Sequence, residues 1–222
     1  MISNFNQSDK KIGFWIITVS YHGHIDVFNY LFSLYSGDVS ELLSTALCNA
    51  CRLNHLKLVE HIFNIGSSLN ITFSLNTALL FTSNKLILDI IILKAKQSNI
   101  ILDFDKALCR VCSNGHQYLI DYFLALGAKS INQAIHDCIK VFNFLTFKYL
   151  LETGSSFKLR YPDIILPTKD DLNEMLYLAV LYYQLDMVKY LITQGADDIT
   201  KALNLAYQHN YHGIIDYLNT LS

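Results

Sequence analysis

Only two prolines and 16% charged side chains occur in this 222-residue chain, against 52% apolar residues. That balance excludes intrinsic disorder, since a chain this apolar has enough to bury to offset its ordering entropy. Arginine is scarce too: Arg52, Arg110 and Arg160 are the three, and the formal net charge is −2. No basic footprint for nucleic acid or anionic lipid is present. Long apolar runs are missing; the longest, LILDIIIL at 86–93, is broken by Asp89 and flanked by Lys85 and Lys94. It falls well short of the roughly 20 residues a membrane span needs and reads as a buried helix. The opening MISNFNQSDKK has no basic-then-apolar order and no small-residue cleavage site, so it does not read as a secretory signal. Phosphate-cradling glycine loops, dinucleotide fingerprints and His-Glu-x-x-His are absent as well. Nothing argues for an enzyme or a cofactor.

What the chain does have is repetition. ALCNACRLNHLKLVEHIFNIG from Ala46 and ALCRVCSNGHQYLIDYFLALG from Ala107 align with segments starting at Ala134, Met175 and Ala202. A further copy begins at Trp15, and a degraded one lies near Thr77. In each, apolar residues such as Leu47 with Ala50 and Leu108 with Val111 give a first short helix one buried stripe. A polar break comes next, Asn54-His55, Gly115-His116 or Gly23-His24, and then a second helix with apolar pairs at helical spacing. The closing glycines Gly66, Gly127, Gly154 and Gly195 are expected to form left-handed helix caps. The pattern predicts helical hairpins, each with a face it cannot bury alone.

These segments resemble ankyrin repeats. Thr45, Leu47 and Ala50 stand where the family's Thr-Pro-Leu-His-x-x-Ala pattern has its threonine, leucine and alanine; Gly115-His116 and Gly23-His24 match its turn, and Gly127-Ala128 and Gly195 to Asp197 match its repeat ending. The departures are alanine at the proline position (Ala46, Ala107, Ala134, Ala202), and Cys48, Cys109 and Asn204 in the histidine slot, which His136 keeps. Starts at 107, 134, 175 and 202 give steps of 27, 41 and 27, against a family period of about 33. The resemblance implies an all-α, ankyrin-like helical-hairpin solenoid of about seven degenerate repeats. It is expected to form a single domain over 1–222, with a lead-in at 1–12 and a proline-containing insertion at about 155–174. It also implies a non-enzymatic protein-interaction scaffold: a monomer with a protein partner, no nucleic acid and no membrane, in the cytoplasm. The loose period resembles the divergent ankyrin proteins of large DNA viruses and intracellular bacteria, which would place it in a host cytoplasm, acting on host signalling or degradation.

Two Cys-x-x-Cys-x-x-x-His elements, Cys48/Cys51/His55 and Cys109/Cys112/His116, keep a rival reading open: a cysteine-dependent enzyme or a metal-binding protein. Adjacent units in a stack lie about 8–10 Å apart, so copies with one whole repeat between them lie on the order of 20 Å from each other, whereas zinc needs sulfur at about 2.3 Å. One shared site is therefore excluded, and a local site within one copy stays open. Cys51 and Cys112 occupy a slot held elsewhere by Ile139, Val180 and Tyr207, which favours packing. The histidines at the turns are expected to bond nearby backbone. The odd total of five cysteines points to free thiols in a reducing compartment. Candidate binding residues are the variable pairs closing the first helices, Tyr21 and His22, Arg52 and Leu53, Lys140, and Tyr182 with Tyr183. Arg160 and Tyr161 join them from the insertion, where a projecting strand or hairpin is one reading and a plain spacer the other.

Overall fold

The computed structural model describes residues 7–221, and every regular element there is helical. The chain divides into two compact units, one ending at Asp103 and one beginning at Phe104. The first contains α1 (Gln7–His22), α2 (Ile25–Ser33), α3 (Val39–Arg52), α4 (Leu56–Ser68), α5 (Leu75–Phe81) and α6 (Lys85–Gln97). The second contains α7 (Phe104–Ser113), α8 (Ile120–Ala125, entered through a 3-10 turn at Gln117–Leu119), α9 (Ile131–Lys140), α10 (Phe144–Arg160), α11 (Lys169–Leu181), α12 (Leu185–Thr193), α13 (Ile199–Gln208) and α14 (His212–Asn219). No helix among the described residues is long and apolar enough to cross a membrane. α1 already runs from Gln7, ahead of residue 13 where the sequence places the first repeat.

Consecutive helices pair as hairpins, from α1 with α2 to α13 with α14. In the first unit α3 packs on both α1 and α5, and α4 on α6; in the second, α9 packs on α7 and α11, α11 on α13, and α12 on α10 and α14. Inner first helices such as α3 and α9 are thus sandwiched by their counterparts, which explains why their stripe is small: Ala46, Ala50 and Cys51 in α3, and Ala134, Cys138 and Ile139 in α9, have no exposed surface. Small side chains let the helix axes approach at ordinary packing distance.

The hairpin turns share one geometry. Gly23, Asn54, Gly115, Phe142, Tyr183 and Asn210 all have positive φ. The next residue's N–H donates back to the carbonyl five positions earlier, as in His55 to Ala50 at 2.9 Å and Asn143 to Cys138 at 2.9 Å, closing the first helix in a Schellman-type cap. The degraded copy lacks this turn; α5 stops at an extended Thr82, and the Asn84 side chain caps α6 instead.

Two of the four glycines expected as left-handed caps are not caps. Gly127 and Gly195 have φ of 99° and 105°, but Gly66 and Gly154 lie inside α4 and α10. At the end of α4 the left-handed residue is Asn70, and at the end of α6 it is Asn99. Asparagine tolerates that region by bonding locally, so the helix runs on past Gly66. There the glycine gives room to a returning ring: a Cβ at Gly66 would lie 2.3 Å from Phe73, which is buried edge-on against Phe63. The insertion differs from the strand reading in the same way. α10 continues to Arg160, and the rest of the insertion forms no strand before α11 begins at Lys169 behind a Thr168–Asp171 capping box.

Polar side chains near the start of several first helices bond backbone about 25 residues further along within their own unit. Asp9 accepts from Ser36 N–H and hydroxyl, Asn76 from Asp103 N–H, Asp105 from Lys129 and Ser130 N–H at 2.6 and 2.8 Å, and Asn173 from Asp197 and Asp198 N–H. At Asp105, burial works against ionisation, but the N–H groups of Lys129 and Ser130 and the Ser130 hydroxyl outweigh it and hold the carboxyl below its ordinary value. A depressed folded pKa contributes stability above about pH 4, lost as the pH falls through the folded value. Asp105→Ala is therefore expected to cost about 1–2 kcal/mol at neutral pH. Urea midpoints of wild type and variant should converge on acidification; a gap independent of pH would rule out the charged contact.

Candidate functional site

The cysteine elements resolve first. Cys51, Cys112 and Cys138 are fully buried, Cys109 is 8% exposed, Cys48 is half-buried, and all five thiols are free. Burial pushes the Cys138 thiol up to about 12, and those of Cys51 and Cys112 higher still. Cys48 is also raised by burial, with Arg52 opposing. Since the thiolate is the nucleophile and the metal ligand, burial of this kind favours packing at Cys51, Cys112 and Cys138. Among the described residues no group of three or more His, Cys, Asp or Glu side chains is placed to hold a metal.

His55 is engaged elsewhere: its Nε2 lies 2.9 Å from the carbonyl of Tyr21 in the preceding hairpin. His55 thus makes a ring-to-backbone bond across repeats, while none of His24, His55 and His116 caps its own following helix through the side chain. Two other turns use the same position in the same way. Asn143 Nδ2 donates to the carbonyls of Cys112 and Ser113 at 3.1 and 3.2 Å, and Tyr211 Oη donates to Leu181 at 3.4 Å.

In the first unit, Tyr21 and His22 close α1 exposed, their rings edge-to-face at 5.5 Å, with His22 stacked on His24. Arg52 closes α3 with its guanidinium 4.3 Å from the Phe81 ring centre, and Leu53 comes next, 38% exposed. In the second unit, Lys140 is exposed and paired with Asp137 on its own helix at 3.2 Å. Arg160 and Tyr161 are engaged in packing the end of α10. Arg160 Nη1 lies 2.7 Å from Asp121 of α8, and Tyr161 Oη donates to the same residue. Lys158 also donates to the carbonyls of Pro162 and Ile164, and Ile164 is buried. Much of the insertion is thus bound to its own unit, leaving Leu159 and Ile165 as its exposed apolar side chains.

Tyr182 and Tyr183 belong to a row of rings at successive turns. Phe142 lies 6.4 Å from Tyr182, Tyr183 4.8 Å from Tyr211, and Tyr211 is stacked on His209 at 5.3 Å. Phe142 and Tyr183 are more than half exposed, and both have left-handed backbones, φ 63° and 55°. In the other four turns of this kind that slot holds glycine or asparagine. Phe142 and Tyr211 were not among the sequence candidates; for Phe142 the signal was an aromatic residue in the register of Gly23, Asn54 and Gly115, and for Tyr211 one in the register of His24, His55 and His116. A bulky residue there costs about 1–2 kcal/mol, and exposure returns little of it. Phe142→Asn is accordingly expected to raise stability by about 0.5–1 kcal/mol, read as a higher urea midpoint. A lower midpoint would mean that Phe142 is held by packing instead.

No protein-family model matches this sequence, and comparison with curated proteins finds no match.

Proposed function

We propose that the chain is a non-enzymatic protein-binding scaffold, an ankyrin-like solenoid whose hairpin turns present side chains to a protein partner. The row Phe142, Tyr182, Tyr183 and Tyr211 carries this reading. Two of its rings, Phe142 and Tyr183, are held exposed at positions where the backbone favours glycine or asparagine, a local cost that a binding role accounts for. Tyrosine and phenylalanine are the residues that dominate interface energetics, and a surface fixed by packed helices loses little entropy on binding. The repeat framework supports the reading, because stacked hairpins vary their turns without disturbing the shared stripe.

Affinity capture from cells tests it with three baits: wild type, Tyr182→Ser with Tyr183→Asn, and Leu159→Ser with Ile165→Ser. The expected outcome is a partner retained by wild type and by the insertion variant but lost from the tyrosine variant. Loss from the insertion variant alone would move the contact to the 155–174 segment. Turnover of a substrate or stoichiometric metal in the purified chain would overturn the scaffold reading.

A further inference from the structure

The first unit holds a cleft of about 460 Å³ that the aromatic row of the second unit does not involve. Asp9, Gly13 and Ile17 line it at i, i+4 and i+8 along α1, and Glu41, Leu42 and Thr45 along α3. Tyr35, in the segment joining α2 to α3, closes one side. Its ring lies against α1 because Gly13 has no side chain; a Cβ there would sit 3.2 Å from the ring. Phe14, 63% exposed, stands at the cleft as a second aromatic face. The floor is therefore aliphatic and aromatic, and its volume falls within the range of cavities that take a large side chain or a small ligand.

The rim has one dominant sign: Asp9, Asp38 and Glu41 against Lys10. Asp9 is occupied by Ser36, and one Asp38 oxygen by the N–H groups that open α3. Glu41 is exposed and has no ion-pair partner among the described residues. The negative field registers on Tyr35, whose phenol is held protonated by burial first and then by Asp38, Asp9 and Glu41.

We propose that this cleft docks a basic, apolar peptide segment of a partner protein. A leucine-like or aromatic side chain fills the floor against Tyr35, Ile17 and Leu42, while a neighbouring arginine or lysine engages Glu41 and the free oxygen of Asp38. An anionic lipid or nucleic acid is repelled by the same rim, and an uncharged apolar segment leaves the Glu41 carboxylate without a partner. A guanidinium also gains from the faces of Phe14 and Tyr35.

Fluorescence anisotropy of the full chain with a labelled peptide of alternating arginine and leucine tests the proposal. Controls are peptides with glutamate in place of arginine and serine in place of leucine. The arginine-leucine peptide is expected to bind, Glu41→Lys to weaken it roughly tenfold or more, Glu41→Gln to weaken it less, and added salt to narrow the difference. Glu41 is exposed, so both variants should keep the wild-type circular dichroism spectrum. Absence of binding, equal binding to Glu41→Lys, or equal binding of the serine peptide would overturn it. Self-association that depends on Glu41 would assign the cleft to a second copy and overturn it equally.

Discussion

Gly23→Val is expected to destabilise the chain by about 3–5 kcal/mol, the combined result of three costs at one turn. Gly23 has φ 75°, where a residue with a Cβ pays about 1–2 kcal/mol and a β-branched one more. The added Cβ would also lie 2.5 Å from His55 Nδ1, so the imidazole has to move. Moving it breaks the bond from its other nitrogen to the Tyr21 carbonyl, worth about 1 kcal/mol. Gly23 therefore serves its own turn and the registration of the next hairpin together. Urea unfolding monitored by circular dichroism reads the effect. Gly23→Ala should lie between wild type and valine, and a valine loss below about 1 kcal/mol would show that the turn-to-turn contact is not made.

Phe147→Ala should cost a similar amount, about 3–5 kcal/mol, for a different reason. Phe147 has no exposed surface; it packs against Phe144 at 6.0 Å and edge-on to Tyr190 of α12 at 5.9 Å. Truncation removes the ring and leaves a cavity between α10 and α12 that helices held on both sides close poorly. The contrast with Phe142 is informative, because two phenylalanines in adjoining elements of one hairpin are predicted to respond with opposite signs. One is buried on a helix and stabilises; the other is exposed on a left-handed turn and costs stability.

The helical-hairpin pattern was legible in the sequence because it is written in small-residue stripes that recur: Ala46 with Ala50, Ala107 with Val111, Ala202 with Ala206. The turns before α2, α4 and α8 were legible as well, since Gly-His and Asn-His mark a left-handed residue and then a helix start. The ends of the second helices were read less well. Gly66 and Gly154 align with Gly127 and Gly195, yet whether a glycine caps a helix or makes room depends on the path of the chain beyond it. In two copies a distant apolar side chain, Phe73 or Leu166, returns over the glycine. The insertion misled in a related way: DIIL beside KLRY suggests strand, but Phe157 and Ile164 find burial within the unit, so α10 extends and the segment folds back. For the cysteines, spacing alone suggested chemistry, and only burial distinguishes a thiol that packs from one that reacts. Tyr182 and Tyr183 were singled out by their variable position, whereas the rings beside them, Phe142 and Tyr211, show only in the turn-to-turn contacts.

The central claim is that the aromatic row is kept for binding against a local backbone cost. Measuring stability and partner retention on one variant, Phe142→Asn with Tyr183→Asn, tests it most directly. A urea midpoint at or above that of wild type is expected, together with loss of the partner that wild type captures. A variant that unfolds more easily, or one that keeps the partner at full strength, would contradict it.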